Sequence, residues 1–250
     1  KRIELLTIPD TATRLAMLRR EETHVATLIK DVFLEDAKKD KTIKLYYGTT
    51  PARMVLSMTT QWDPKSPWSD VRVRKAASLA LDRKTLGEIH MPGGGPVGSF
   101  ALPGDPLGVD FPPDPYDPDQ ARKLLAEAGY PKGFHGGKFF PYDGPYQAYG
   151  EQMTTYWKAV GITVDTVLVE RPAWMAMRRA GKFEGGIFND TTSAATVSRR
   201  LEHLFTGGRT YGSYPEIQKI WDQVKRETNP KNRKDLLAQV QRLLREKYMF

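Results

Sequence analysis

The residues best placed to do chemistry lie between Phe183 and Thr192. A Gly-rich apolar run, Gly185-Gly186-Ile187-Phe188, reads as a buried strand over Phe183 to Phe188 that stops at Asn189-Asp190-Thr191-Thr192. Ligands of open α/β sheets collect at the carboxyl ends of strands, where short polar side chains face a crevice. Phe188, Asn189, Asp190 and Thr191 are therefore candidate ligand-binding residues. A second reading stays open on these residues alone: a strand-to-loop turn in which Asn189 and Asp190 bond to nearby backbone. Trp62, Tyr142 and Tyr211 are aromatics that could wall such a crevice, although each also suits ordinary packing.

Other chemistries find little support. His24, His90, His135 and His203 are far apart, and none forms H-E-x-x-H or H-x-x-x-H, so no metal site is expected. Cysteine is absent, which excludes disulfides, thiolate catalysis and zinc–sulfur sites together. No serine sits in a G-x-S-x-G elbow. Gly93-Gly94-Gly95 lacks the Gly-Lys-Ser/Thr of a phosphate loop, and no strand feeds it. Carboxylate pairs such as Asp165 with Glu170 are expected by number alone. No catalytic residue, metal or cofactor is named, and the chain reads as a binding protein.

Composition is ordinary for a globular chain, with 250 residues, 40% hydrophobic and 27% charged. No run of about eighteen apolar residues could span a membrane. The net charge of +8 raises nucleic acid as a partner. Yet the basic residues are scattered, and runs such as Lys231 to Lys234 are interleaved with acids or lie on helices. A solvated face explains them better, so no nucleic acid is expected.

The elements that must hold the candidate site follow an α/β pattern. Strands are predicted at Ile3 to Ile8, Val25 to Ile29, Ile43 to Tyr47, Met54 to Thr59, Ile162 to Val169 and Phe183 to Phe188. Helices are predicted at Thr11 to Arg20 behind Asp10, at Val32 to Lys39, and from Asp70, where Val73, Ala76, Ala77, Ala80 and Leu81 make one apolar stripe. In the next helix Asp117 is the N-cap, Pro118 sits at its first position, Gln120 can close a capping box, and Gly129 gives a left-handed stop. Ala121, Leu124, Leu125 and Ala128 form its buried face. Further helices run from Tyr146 to Val160 and from Pro172 to Gly181. Two more bury Ile217, Ile220, Trp221 and Val224, then Leu237, Val240 and Leu244. The alternation from Phe139 to Phe188 argues for a sheet flanked by helices.

Two of these segments carry a resemblance. Asp70 to Arg83 resembles "D-x-R-V-R-x-A-x-x-x-A-(I/L)-D-R", and Tyr116 to Phe134 resembles "Y-D-P-x-x-A-x-x-L-L-x-E-A-G-(Y/F)-x-x-G-F". Between them lies a Gly/Pro-rich loop, Gly93 to Pro106. Trp157 to Val164 resembles "W-x-x-x-G-I-x-V", and Asn229 to Gln241 resembles "D-P-x-x-R-x-x-L-x-x-x-x-Q". In this order they are similar to bacterial extracellular solute-binding proteins of the dipeptide, oligopeptide and nickel class, family 5.

The resemblance implies a lobe of the type II periplasmic binding fold, a mixed sheet flanked by helices. Residues 1–47 resemble part of a first lobe, and residues 48–250 a second, ligand-binding lobe without its final return strand. It implies a monomer, a fragment of a longer chain, that captures a peptide-like or amine-bearing solute and delivers it to an ABC transporter permease. Its place would be the periplasm, or the outer face of a Gram-positive membrane to which it is tethered. The alternative is a basic nucleic-acid or anion-binding module. In peptide-binding members the strand reads "G-W-x-x-D", and the aspartate, here Asp190, pairs with the ligand's α-amino group. Ile187 replaces the tryptophan. Dipeptide binders also place a carboxylate-clamping arginine where Gly144 stands, so an ordinary dipeptide is not expected here. Arg178, on the preceding helix, resembles an arginine that some oligopeptide binders use instead. It could equally be an exposed helical arginine.

Overall fold

A computed structural model describes residues 2–29, 31–46, 52–90, 98–142, 146–183, 185–192, 194–205 and 211–250. The chain divides into two compact units, Lys1–Gly48 and Thr49–Phe250. Tyr47, Gly93-Gly94-Gly95 and Gly144 fall outside the described residues.

The first unit holds two helices, α1 (Thr11–Arg19) and α2 (Asp31–Lys39). Asp10 caps α1, its carboxylate accepting from the backbone N–H of Thr13 at 2.7 Å. Arg19 ties the helices together, reaching Asp36 at 2.9 Å and Asp40 at 2.9 Å. The strands expected at 3–8, 25–29 and 43–47 are not formed among the described residues, and Leu28 takes a left-handed φ of 56°. Their β-forming residues have no described strand beside them and stand in solvent: Leu5 is 91% exposed and Val25 76%. A strand exists only by pairing, so the alternating pattern is not enough.

The second unit is built on one mixed sheet. Its strands are β1 (Arg53–Met58), β2 (Phe134–Phe140), β3 (Ile162–Thr166) and β4 (Gly186–Thr192), in the order β1-β4-β2-β3. β4 runs antiparallel to β1 and parallel to β2, and β2 runs parallel to β3. Among the described residues eight α-helices accompany it: α3 (Val71–Leu79), α4 (Arg83–His90), α5 (Pro118–Glu127), α6 (Gln147–Ala159), α7 (Arg171–Arg179), α8 (Val197–Phe205), α9 (Pro215–Arg226) and α10 (Pro230–Glu246).

The helix signals act as their chemistry dictates. Asp70 caps α3 through the N–H of Arg72 at 2.8 Å, and Asp117 caps α5 through the N–H of Gln120 at 2.8 Å. The reciprocal half of a capping box does not form at α5. The N–H of Asp117 donates to the Leu79 carbonyl at 2.9 Å, so the end of α3 takes the group that Gln120 would have satisfied. Gly129 adopts φ +95° and stops the helix.

Adjacent side chains of β4 enter different cores, because alternate residues of a strand point to opposite faces. Ile187 joins Trp68, Val73, Ala77, Leu125, Phe139 and Trp157, a core built mainly by α3, α5 and α6. Phe188 joins Phe140, Trp174 and Phe183, the core under α7. The two buried indoles of the larger core each find an acceptor. Trp68 Nε1 donates to the Gly136 carbonyl at 2.8 Å, and Trp157 Nε1 to that of Ala77 at 3.0 Å. A third core, with Val197, Leu201, Trp221, Leu237 and Val240, packs α8, α9 and α10.

Three strands depart from their expected bounds, β1 by one residue at each end. β3 ends at Thr166 rather than Val169, and the last strand spans 186–192 rather than 183–188. The physical cause of the last shift is β1, whose residues Arg53, Met54, Val55 and Leu56 pair with Thr192, Thr191, Asp190 and Asn189. The polar stretch read as a loop is thus part of the ladder.

Candidate functional site at the end of β4

α6 links the parallel neighbours β2 and β3, α7 links β3 to β4, and the two helices pack on opposite faces of the sheet, the arrangement in which ligands of open α/β sheets collect beyond the carboxyl ends of the strands. Asp190 stands at that end, with the residue 8% exposed. Its Oδ2 contacts Arg178 Nη2 directly, and its Oδ1 accepts from the Thr191 N–H at 2.7 Å. Arg178 lies in the last turn of α7 with its guanidinium carbon 6.0 Å from the Trp174 ring centre. Its Nε is buried without a hydrogen-bond partner. The site therefore presents a bonded carboxylate–guanidinium pair, with one N–H still unspent.

Tyr142, two residues beyond β2, is buried in the core under α7. Its ring meets Trp174 edge-on at 4.6 Å, and Arg171 lies over it at 5.3 Å. Sequence reading passed over Arg171 and Trp174. Their signal was the position of α7 between two sheet strands, β3 and β4.

The other candidates have different surroundings. Asn189 is fully buried. Its Oδ1 accepts from the Tyr142 N–H, and its Nδ2 lies 3.4 Å from Met54 Sδ. It fastens β4 to the chain after β2. Phe188 is stacked on Phe183 at 4.7 Å and near Tyr211 at 6.1 Å, inside the aromatic core. Tyr211 accepts the Phe183 N–H on its hydroxyl at 3.0 Å. Thr191 is half-buried beside Asp190. Trp62 meets Tyr214 edge-on at 4.9 Å and packs with the α8–α10 core. Arg178, Asp190 and Thr191 are thus together, whereas Trp62 belongs to another cluster. Among the described residues, no group of three or more His, Asp or Glu side chains could hold a metal ion, and no helix is long and apolar enough to cross a membrane.

Comparison with known proteins gives the family and the fold. Residues 1–212 match the sequence family described as "Bacterial extracellular solute-binding proteins, family 5 Middle". The chain is 26% identical over 195 residues to heme-binding protein A of Haemophilus influenzae, covering 75% of this chain and 35% of that protein. It is 32% identical over 128 residues to the glutathione-binding protein GsiB of Escherichia coli, covering 51% of this chain and 24% of the relative. The chain superposes on the crystal structure of a dipeptide binding protein from Pseudoalteromonas in complex with Met-Leu. The TM-score is 0.74 at 20% identity, over 96% of this chain and 50% of that one. The fold is thus that of the type II periplasmic binding proteins, and the chain spans about a third or less of the curated relatives it matches.

Proposed function

Because the chain belongs to the bacterial extracellular solute-binding proteins of family 5, we propose that it is part of the substrate-binding component of an ABC importer. Thr49–Phe250 then supplies one of two lobes that close on a solute and present it to a membrane permease. Members of the family are extracellular or periplasmic, and the periplasm is the compartment we assign. Family membership weighs against the alternative of a nucleic-acid or anion-binding module, and no residue cluster suggests covalent chemistry.

The observation that carries this reading is the Arg178–Asp190 pair at the sheet's carboxyl edge. A solute amine that takes Asp190 displaces Arg178, whose guanidinium then needs a new acceptor. A solute with an amine and an anionic group re-pairs both partners, whereas a simple amine leaves a nearly dry guanidinium uncompensated. A peptide-like zwitterion therefore fits this site better than a carboxylate-free amine. The test is titration calorimetry on the full-length protein with a panel of peptides, amino acids and simple amines. Tighter binding of zwitterions, weakened by Asp190→Asn, supports the proposal; preference for simple amines contradicts the re-pairing.

A further inference from the structure

One stripe of α7 connects both ends of that helix to the residues of the candidate site. Arg171, Trp174 and Arg178 stand at i, i+3 and i+7, the spacing of a single helix face. Their contacts run on without a break. The Arg171 guanidinium carbon lies 5.3 Å from the centre of the Tyr142 ring, and that ring meets Trp174 edge-on at 4.6 Å. Arg178 in turn lies 6.0 Å from the Trp174 ring centre and bonds Asp190.

Arg171 is the member of this stripe that folding does not account for. It opens α7, where the helix dipole is positive and a cation is unfavourable. Its neighbour Glu170 makes no side-chain cap. Among the described residues no hydrogen bond or ion pair holds the Arg171 guanidinium. The residue is exposed, and a guanidinium lying over a ring keeps its N–H edges for a planar anion. Local rules are broken most often where function requires it.

Three charges are therefore set along α7: Arg171 at its start, and Arg178 with Asp190 at its end. At 1.5 Å per residue the two arginines stand about 10 Å apart along the helix. An extended peptide covers about 3.3–3.6 Å per residue, so three residues match that length. Arg178 and Asp190 cancel in charge, and Arg171 leaves one positive charge over. A zwitterion with one amine and one carboxylate satisfies the pair alone.

We infer that the solute is a tripeptide-sized acid carrying one amine and two carboxylates. Its amine takes Asp190, an acidic side chain on its first residue takes Arg178, and its terminal carboxylate takes Arg171. This rests on the reading that a solute amine displaces Arg178 from Asp190. The Arg171 fork suits a carboxylate, and its place over Tyr142 limits the ordering that binding requires. A dipeptide ends short of Arg171, and an amidated tripeptide reaches it without a charge.

Titration calorimetry of the full-length protein with Glu-Ala-Ala, its C-terminal amide, Ala-Ala-Ala and Glu-Ala tests this. Glu-Ala-Ala should bind at least about tenfold more tightly than each of the other three, the worth of one charge-assisted hydrogen bond. Arg171→Gln should erase the advantage of the free acid over its amide and leave the affinity of the amide unchanged. A merely structural arginine would move both peptides together. Unchanged affinities in Asp190→Asn would strike the amine site of the proposed function, while the acid–amide comparison still decides the role of Arg171. The inference is overturned if the amide, Ala-Ala-Ala or Glu-Ala binds as tightly as Glu-Ala-Ala, if Arg171→Gln keeps the advantage of the free acid, or if none of the four peptides binds.

Discussion

Arg178 and Asp190 form an ion pair between the last turn of α7 and the end of β4, with side chains only 13% and 11% exposed. Neither helix nor strand needs this contact to form. It joins the end of α7 to the carboxyl end of β4. Removing one partner leaves the other nearly dry. Asp190→Ala is expected to destabilise the protein by about 3–5 kcal/mol, and the double variant Asp190→Ala/Arg178→Met by clearly less than the sum of the two single changes. Urea unfolding of all three variants measures this, and strict additivity would show that the pair is not coupled.

A second expectation concerns the crossing of β2 with the turn before β3. Gly133 has φ +80°, and a Cβ there would lie 2.0 Å from the Gly161 carbonyl oxygen. That oxygen accepts the Phe134 N–H at 3.0 Å, so it cannot retreat without breaking the start of β2. Gly133→Ala should cost at least about 2 kcal/mol, strain and clash together. Gly129→Ala, at φ +95° with open space around it, should cost only the strain of about 1 kcal/mol. Equal losses in chemical denaturation would remove the argument from close approach.

Asp114 supports α3, α4 and α10 at once through Ser78, Arg83 and Arg245, with its own side chain 6% exposed. Asp114→Ala strips the acceptor from Arg245, which is 27% exposed. The expected loss is about 2–4 kcal/mol, below the range of fully buried pairs because water still reaches the guanidinium. A change under about 0.5 kcal/mol, the usual limit for a plain surface position, would show the network to be incidental.

The first unit carries its own acid signature. Asp40 accepts from the Thr42 hydroxyl and then from Arg19, and these contacts hold its pKa down to about 2 from 3.8. A depressed carboxylate adds stability that is present above its unfolded pKa and is lost as pH falls through the folded value. The contribution of Asp40 should therefore be complete well above pH 3.8, decline from there as pH falls, and be gone below about 2. Carbon-detected NMR of the Asp40 carboxyl reads this midpoint directly, and titration near the ordinary aspartate value would contradict the contacts.

Much of this architecture was legible in the residues. Asp10, Asp70 and Asp117 cap the helices that they appear before, and the stripe of Val73, Ala76 and Ala77 is buried as its spacing requires. Local chemistry decided those features, so sequence sufficed. Strands were less readable because pairing is not local. Ile3 to Ile8 alternates like a strand but has no described neighbour, and Asn189 to Thr192 look like a turn but are held in β4 by β1. At the site, Asp190 and Arg178 were both candidates, yet their mutual pairing depends on how α7 docks. Trp62 could not be separated from a ligand-facing aromatic until Tyr214 was seen against it.

The central claim is that Asp190 binds a charged group of the solute. Titration calorimetry of full-length wild type and Asp190→Asn, with the solute that co-purifies with the protein and is identified by mass spectrometry, tests it most directly. The account predicts an amine-bearing solute whose affinity falls by about 2–5 kcal/mol in the variant, as for a buried charge pair, while the circular dichroism spectrum is unchanged. Equal affinity in the two proteins, or a co-purifying solute with no cationic group, would contradict it.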